Sequence, residues 1–387
     1  MIIQPADRTA SVKEYYFSKK NREIAAMNAD GRTEPVINLG IGSPDGRPPQ
    51  PAIDRLCATA VKDGVHAYQP YVGIPELRKA FADWYARWYG VALDPSSEIQ
   101  PLTGSKEGIL ITSLAFLNKG DKVLVPDPGY PTYSSSARLC EAEIVTYDLV
   151  ESLGWQPDLD ALEARDLTGV KMMWTNYPNM PTGAPADPAL YERLVDFGRR
   201  HGILICNDNP YSFILASEHH SILAVPGAKD CCLELNSLSK AHNMAGWRMG
   251  MVASSSDVIY EILKVKSQLD SDIFRPLQRA AVEALGQGPE WFAALNAEYS
   301  RRRVAAGRLF DALGVRYNPD SQGLFLWGRV PSGVNPVELS DKLLHEAGVF
   351  ITPGFIFGHN GENYLRISLC ATVEVFGRAL EKIKAVI

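Results

Sequence analysis

The stretch Ser237-Leu238-Ser239-Lys240-Ala241-His242-Asn243-Met244-Ala245-Gly246-Trp247-Arg248 gathers residue types that can do covalent chemistry. The apolar run Cys231-Cys232-Leu233-Glu234-Leu235 before it reads as a buried strand. Lys240 therefore stands just past a strand end, whereas most lysines are solvated surface residues. An amine held out of water, or near another cation, loses its proton and attacks an aldehyde. Ser237 and Arg248 suit an anion beside that amine, and phosphate fits them well. The plain alternative is a strand-to-loop junction with a lysine at its edge.

Other stretches supply the rest of a site. Leu102-Thr103-Gly104-Ser105-Lys106-Glu107-Gly108 reads as a strand end, a glycine turn and a helix start. The free N–H groups of such a helix start attract anions. Gly40-Ile41-Gly42-Ser43-Pro44-Asp45 is a loop whose glycines let backbone approach a ligand. Tyr68, Tyr71 and Tyr130 lie on loops. Asn176-Tyr177-Pro178-Asn179-Met180-Pro181-Thr182-Gly183 and Asn207-Asp208-Asn209-Pro210-Tyr211 each follow an apolar run. Arg366 sits between apolar residues in Tyr364-Leu365-Arg366-Ile367-Ser368.

Alternating strands and helices must position these residues. Residues 12–29 read as a helix that stops near Asp30-Gly31, and Val36-Ile37-Asn38-Leu39 as a short strand. Pro75 opens a helix running to about Tyr89. Strands are expected at Lys122–Val125, Glu143–Thr146, Lys171–Trp174 and Ile203–Cys206, with a helix from Asp187 to Arg200 capped by Asp187. This order implies an α/β fold, a mostly parallel sheet flanked by helices, with ligands at the carboxyl ends of the strands. The motifs fall at those ends. After residue 275 the pattern changes to helices at 278–285, 289–313 and 336–347, strands at 323–327, 348–351 and 364–368, and a closing helix. The expected division is a large domain over 45–275 and a smaller α+β domain from 1–44 and 276–387.

Composition narrows the function. The chain has 387 residues, 46% of them hydrophobic, and a net charge of -6, which gives no basic surface for nucleic acid or an anionic membrane. No run of 18 apolar residues marks a membrane span, and the first 20 residues lack the apolar centre of a secretion signal. None of the six cysteines forms a C-x-x-C pair, so no metal site is expected and a reducing cytoplasm is the simplest home.

Taken in order, Tyr68-x4-Gly73, Gly104-Ser105-Lys106, Tyr130, Pro181-Thr182-Gly183, Asp208-x-x-Tyr211, Ser237-x-Ser239-Lys240, Arg248 and Arg366 resemble the fold-type-I, pyridoxal-phosphate-dependent aminotransferases of class I/II. The resemblance implies that Lys240 holds pyridoxal 5'-phosphate as a Schiff base and then moves the substrate's α-proton. It implies that Asp208 pairs with the pyridine nitrogen, that Tyr211 bonds the ring's phenolic oxygen and that Tyr130 stacks on the ring. Gly104, Ser105, Lys106, Ser237, Ser239 and Arg248 would hold the phosphate, and Tyr68 would reach the phosphate of a neighbouring subunit in a homodimer with shared sites. Arg366, with the backbone at Gly42, would grip the α-carboxylate of an amino acid or 2-oxo acid.

One position departs from that pattern. The family commonly has asparagine just before Pro-Thr-Gly, where this chain has Met180. Asn179 is taken as its replacement, with Asn176 as the other choice, and Met180-Pro181 is expected to be cis. Tyr15-Tyr16-Phe17-Ser18 and Asn38-Leu39-Gly40-Ile41-Gly42 are similar to the LL-diaminopimelate aminotransferase group, in which Tyr15 would approach substrate. The segment from Ser267 to Arg275 does not match that group well, and Arg275, Asp270 and Asp272 offer side-chain partners of both signs. The implied reaction is ping-pong amino transfer. A carbon–sulfur β-lyase would use the same Lys240 and Asp208, and a ligand-sensing regulator would need an added DNA-binding domain.

Overall fold

Seven strands form one sheet in the computed structural model, which describes residues 3–30 and 34–387. They are β1 (Ile99–Leu102), β2 (Lys122–Asp127), β3 (Glu143–Asp148), β4 (Val170–Thr175), β5 (Leu204–Asp208), β6 (Cys232–Ser237) and β7 (Gly250–Ala253). Their order across the sheet is β1-β7-β6-β5-β4-β2-β3. Only β7 runs against its neighbours β1 and β6. All six residues of β6 are buried, as expected for a strand covered on both faces. One face packs Leu102, Ile109, Val123, Trp174 and Leu233 together, and the other packs Leu124, Met173, Ile205 and Met251.

The helices start and stop where local chemistry directs. Pro75, Pro131 and Pro188 each occupy a first turn, where a missing N–H costs nothing. Asp187 caps the helix Pro188–His201 by accepting the Ala189 N–H at 2.9 Å. Gly90 and Gly202 end two helices in the left-handed region.

A second sheet of four antiparallel strands contains β8 (Arg316–Tyr317), β9 (Phe325–Arg329), β10 (Thr352–Pro353) and β11 (Tyr364–Ser368), in the order β10-β11-β9-β8. The helices Pro289–Ala312 and Val373–Lys384 pack together beside it. The short strand Ile37–Asn38 pairs in parallel with Val349–Phe350, so the beginning of the chain joins its end.

Several elements differ from the sequence reading. The first long helix spans Tyr16–Ala29, because Tyr15, at φ -59 and ψ 129, is not helical and residues 12–14 lie outside any helix. Gly31, expected near its stop, lies outside the described residues. Strand β7 and the helices Gln50–Ala60, whose start Pro49 and Pro51 mark, and Ser256–Lys266 are absent from the sequence reading. The helix expected at 278–285 begins at Arg275, with Pro276 in its first turn. The helix expected at 336–347 widens after Lys342 into a π turn, Leu343–Ala347, which Gly348 ends at φ 66. No helix among the described residues is long and apolar enough to cross a membrane.

Candidate active site

The carboxyl ends of β5 and β6 open into a cavity of about 880 Å³, closed from the other side by Gly40–Gly42, Phe325 and Arg366. Ser237, the last residue of β6, caps the short helix Leu238–Ala241 that carries Lys240. Its Oγ accepts the Ser239 N–H at 3.1 Å and donates to Ser239 Oγ at 2.8 Å. This fixes both hydroxyls beside the lysine. Lys240 Nζ donates to the Gly42 carbonyl at 2.5 Å. Burial, together with the charges of Arg366 and Arg248, holds the ammonium below the usual lysine range.

Asp208 ends β5 and is 4% exposed. Its Oδ2 accepts the Tyr133 hydroxyl at 3.0 Å, while its buried Oδ1 has no partner among the described residues. Burial pushes its carboxyl up to about 7, against the pull of the Tyr133 hydrogen bond and the Lys240 charge. A buried oxygen left without a donor is costly, and an N–H cation placed there would satisfy it. That is the demand of a protonated pyridine, so this site fits pyridoxal phosphate by its own chemistry. Tyr211, three residues on, is buried against Phe325 with ring centroids 6.0 Å apart, and burial raises its hydroxyl.

The anion cup is built by close backbone approach. Gly104 has φ 84 and precedes the helix Ser105–Phe116. A Cβ on Gly104 would stand 2.2 Å from Arg248 Nη2. Arg248 itself is held by the Thr103 carbonyl at 3.1 Å and the Ala245 carbonyl at 2.9 Å. Ser105, Ser237, Ser239 and Arg248 all line the cavity. Lys106 lines it too, but its ammonium lies over the Tyr15 ring, 4.6 Å from the centroid. Tyr15 and Tyr130 form the adjoining wall, and burial together with Tyr130 raises the Tyr15 hydroxyl.

Arg366 is 4% exposed and sits at the centre of β11, opposite Trp327. Its Nη2 donates to the Gly40 carbonyl at 2.6 Å and its Nη1 to Met180 Sδ at 3.2 Å. Its guanidinium carbon lies 4.0 Å from the Phe325 centroid, 4.5 Å from Phe357 and 5.4 Å from Phe17. Desolvation lowers its pKa to about 10. No carboxylate pairs with it among the described residues, and its Nε is buried without a hydrogen-bond partner. A bidentate carboxylate would complete it.

The expectations for Asn179 and for Arg275, Asp270 and Asp272 meet a different arrangement, and that for Tyr68 concerns a neighbouring subunit. Asn179 does not line the cavity: its Oδ1 accepts the Thr182 hydroxyl at 2.7 Å and its Nδ2 donates to the Asn176 carbonyl at 3.1 Å. Asn176 takes the wall position, donating to the Asp208 carbonyl at 2.5 Å while its Oδ1 accepts the Met180 N–H at 2.7 Å. The Met180–Pro181 bond is cis. Tyr68 stands away from the cavity and is 90% exposed. Arg275, Asp270 and Asp272 also stand outside it, bonded to Gln69, Lys266 and Gln278. Sequence reasoning missed Tyr133 and the aromatic sheath of Arg366. Tyr133 follows Tyr130 by three, the spacing of one helix turn, whereas Phe17, Phe325 and Phe357 come from distant segments and carry no shared signal.

Comparisons with known proteins agree with this geometry. The family described as aminotransferase class I and II matches residues 34–383. LL-diaminopimelate aminotransferase of Moorella thermoacetica is 38% identical over 100% of this chain and 99% of that protein. The protein of that name from Aquifex aeolicus is 38% identical over 98% of each. Among solved structures, substrate-bound BacF from Bacillus subtilis superposes with a TM-score of 0.94 at 32% identity, covering 100% of this chain and 98% of that one. A single mutant of Thermus thermophilus aspartate aminotransferase superposes with a TM-score of 0.91 at 26% identity, covering 100% of both chains.

Proposed function

From the premise that this chain belongs to the class I and II aminotransferases, a pyridoxal-phosphate-dependent family, we propose roles for its residues, a substrate and an assembly. The enzyme moves an amino group between an amino acid and a 2-oxo acid, and the carbon–sulfur lyase alternative is not what its relatives support. When bound, the cofactor supplies an aldehyde carbon for a lysine amine and a ring that takes up the electron pair left by a departing α-proton.

This chain's residues do the remainder. Lys240 Nζ, whose proton burial makes easier to lose, would hold the cofactor's aldehyde carbon and, once freed by the substrate amine, would take the proton from the substrate Cα and hand it on. Asp208 Oδ1 would accept a ring N–H, while the Tyr133 hydroxyl engages Oδ2 and leaves Oδ1 free for it. Tyr211 and Asn176, which line the cavity where Asn179 does not, would meet the phenolic oxygen. Ser105, Ser237, Ser239 and Arg248 would hold the phosphate, with the backbone freed by Gly104. Arg366 holds the α-carboxylate, and Phe17, Phe325 and Phe357 keep water from its guanidinium. The single observation that carries this reading is the convergence on one cavity of Lys240, the unpartnered Asp208 Oδ1 and the unpaired Arg366.

LL-diaminopimelate is the proposed amino donor. The name of the 38%-identical relatives supports it, and Arg22, ion-paired with Glu14, places a cation on the cavity wall. The test is a half-reaction panel of amino acids read by absorbance. Bleaching by aspartate or aromatic amino acids and not by LL-diaminopimelate would reject that donor. A homodimer in the cytoplasm is proposed as well. Exposed Tyr68, Tyr71 and Phe274 support a covering partner, and six unpaired thiols support a reducing compartment. The parts of the chain on either side of about residue 275, with the first 44 residues joined to the second part, are proposed as the two domains.

A further inference from the structure

One carboxylate ties the loop in front of Tyr130 to the segment in front of Arg366. Asp127 ends β2 at the carboxyl edge of the seven-stranded sheet. Its Oδ2 accepts the His359 N–H at 3.0 Å, and its Oδ1 accepts the Asn360 N–H at 3.0 Å. Asn360 Nδ2 donates back to the Asp127 carbonyl at 3.1 Å and to Asp148 Oδ1 at 2.7 Å. Two residues along, the Gly129 N–H donates to the Phe357 carbonyl at 2.8 Å. These bonds all join the large sheet's rim to the turn that leads into β11. A carboxylate accepting two successive backbone N–H groups is a strong, directional contact, and its loss leaves both donors without a partner.

Shape points the same way. Gly358 has φ 140, and a Cβ there would stand 2.1 Å from Asp127 Oδ1. The carboxylate fills the space that a side chain would need. On one side of this clasp, Gly129 is followed at once by Tyr130, a wall of the cavity. On the other, Gly358 is preceded by Phe357, whose ring lies 4.5 Å from the Arg366 guanidinium carbon.

We propose that Asp127 is a positioning residue for amino transfer. It sets the spacing between Tyr130 and the Phe357–Arg366 stack, and through that stack the grip on the α-carboxylate that amino acid and 2-oxo acid share. The proposal rests on Arg366 being that grip. It is tested in the holoenzyme with Asp127→Ala, Gly358→Ala and the double variant, with Arg366→Lys alongside. Each single variant is expected to raise KM for the amino acid and for the 2-oxo acid together, roughly tenfold, with kcat and cofactor absorbance near wild type, the signature of lost uniform binding. Because both singles open the same clasp, the double variant is expected to be no worse than the worse single. Asp127→Asn keeps the size and one acceptor oxygen, so it is expected to give an intermediate KM and serves if Asp127→Ala does not fold. A lowered melting temperature with both KM values unchanged overturns the proposal, as does a rise for one substrate alone or additivity in the double variant. If Arg366→Lys leaves KM unchanged, the reading of Arg366 falls and the proposal with it. If Arg366→Lys raises KM and the clasp variants do not, the clasp alone falls.

Discussion

Lys240, Asp208 and Arg366 are each buried ionisable groups with no ion-pair partner among the described residues, and each makes a separate prediction. Asp208 has a folded-state carboxyl pKa of about 7 against an ordinary 3.8. Without cofactor, the folded protein therefore keeps a proton that the unfolded chain releases. Its contribution to stability is full below about pH 4 and is lost as pH rises through about 7. Thermal melts of the cofactor-free protein should show wild type losing stability relative to Asp208→Asn between about pH 5 and about pH 8. Equal slopes for the two would contradict it. Lys240→Ala should retain the fold and lose the amino-donor half-reaction by at least about 10³-fold in single-turnover absorbance, because nucleophile and proton carrier go together. Arg366→Lys keeps the charge and loses the planar fork. It should raise KM for amino acid and oxo acid alike, by about ten- to a hundredfold.

Among the elements, the turn before the helix Ser105–Phe116 is the most constrained. At φ 84 Gly104 is in a region open mainly to glycine, and its missing Cβ makes room for Arg248. Gly104→Ala should weaken cofactor retention about tenfold or more while leaving the melting temperature of the cofactor-free protein within a few degrees. Equilibrium dialysis of the cofactor, with a melt beside it, checks both parts. This turn was legible in the sequence because glycine, serine and lysine followed an apolar run in a fixed order. So were Lys240, Asp208 and Tyr211, which punctuate strand ends. The partners that tune them were not legible. Tyr133 reaches Asp208 across 75 positions of chain, and Phe325 and Phe357 reach Arg366 from separate segments. The antiparallel β7 was hidden for a related reason. Its four residues, Gly-Met-Val-Ala, open on a glycine and carry no alternation, and pairing with two neighbours decides them. Asn179 and Asn176 were indistinguishable in one dimension, and the turn at Thr182 selects between them by occupying the first.

At the scale of the whole molecule, Tyr68 makes the sharpest prediction. In one chain it is 90% exposed and far from any role, so Tyr68→Ala should matter only if a second copy covers it. In a homodimer with shared sites, Tyr68→Ala and Lys240→Ala should each be poorly active alone and recover activity when co-expressed, since mixed dimers hold one intact site. Light scattering that shows a monomer at working concentration would remove the basis for this. The order of the chain carries one more consequence. The seven-stranded sheet closes at Ala253, whereas Arg366 and its contact with the Gly40 carbonyl come 113 residues later, a span of about ten seconds at the ribosome. The strands that end in Asp208 and lead to Lys240 are thus made before the arginine that closes the same cavity.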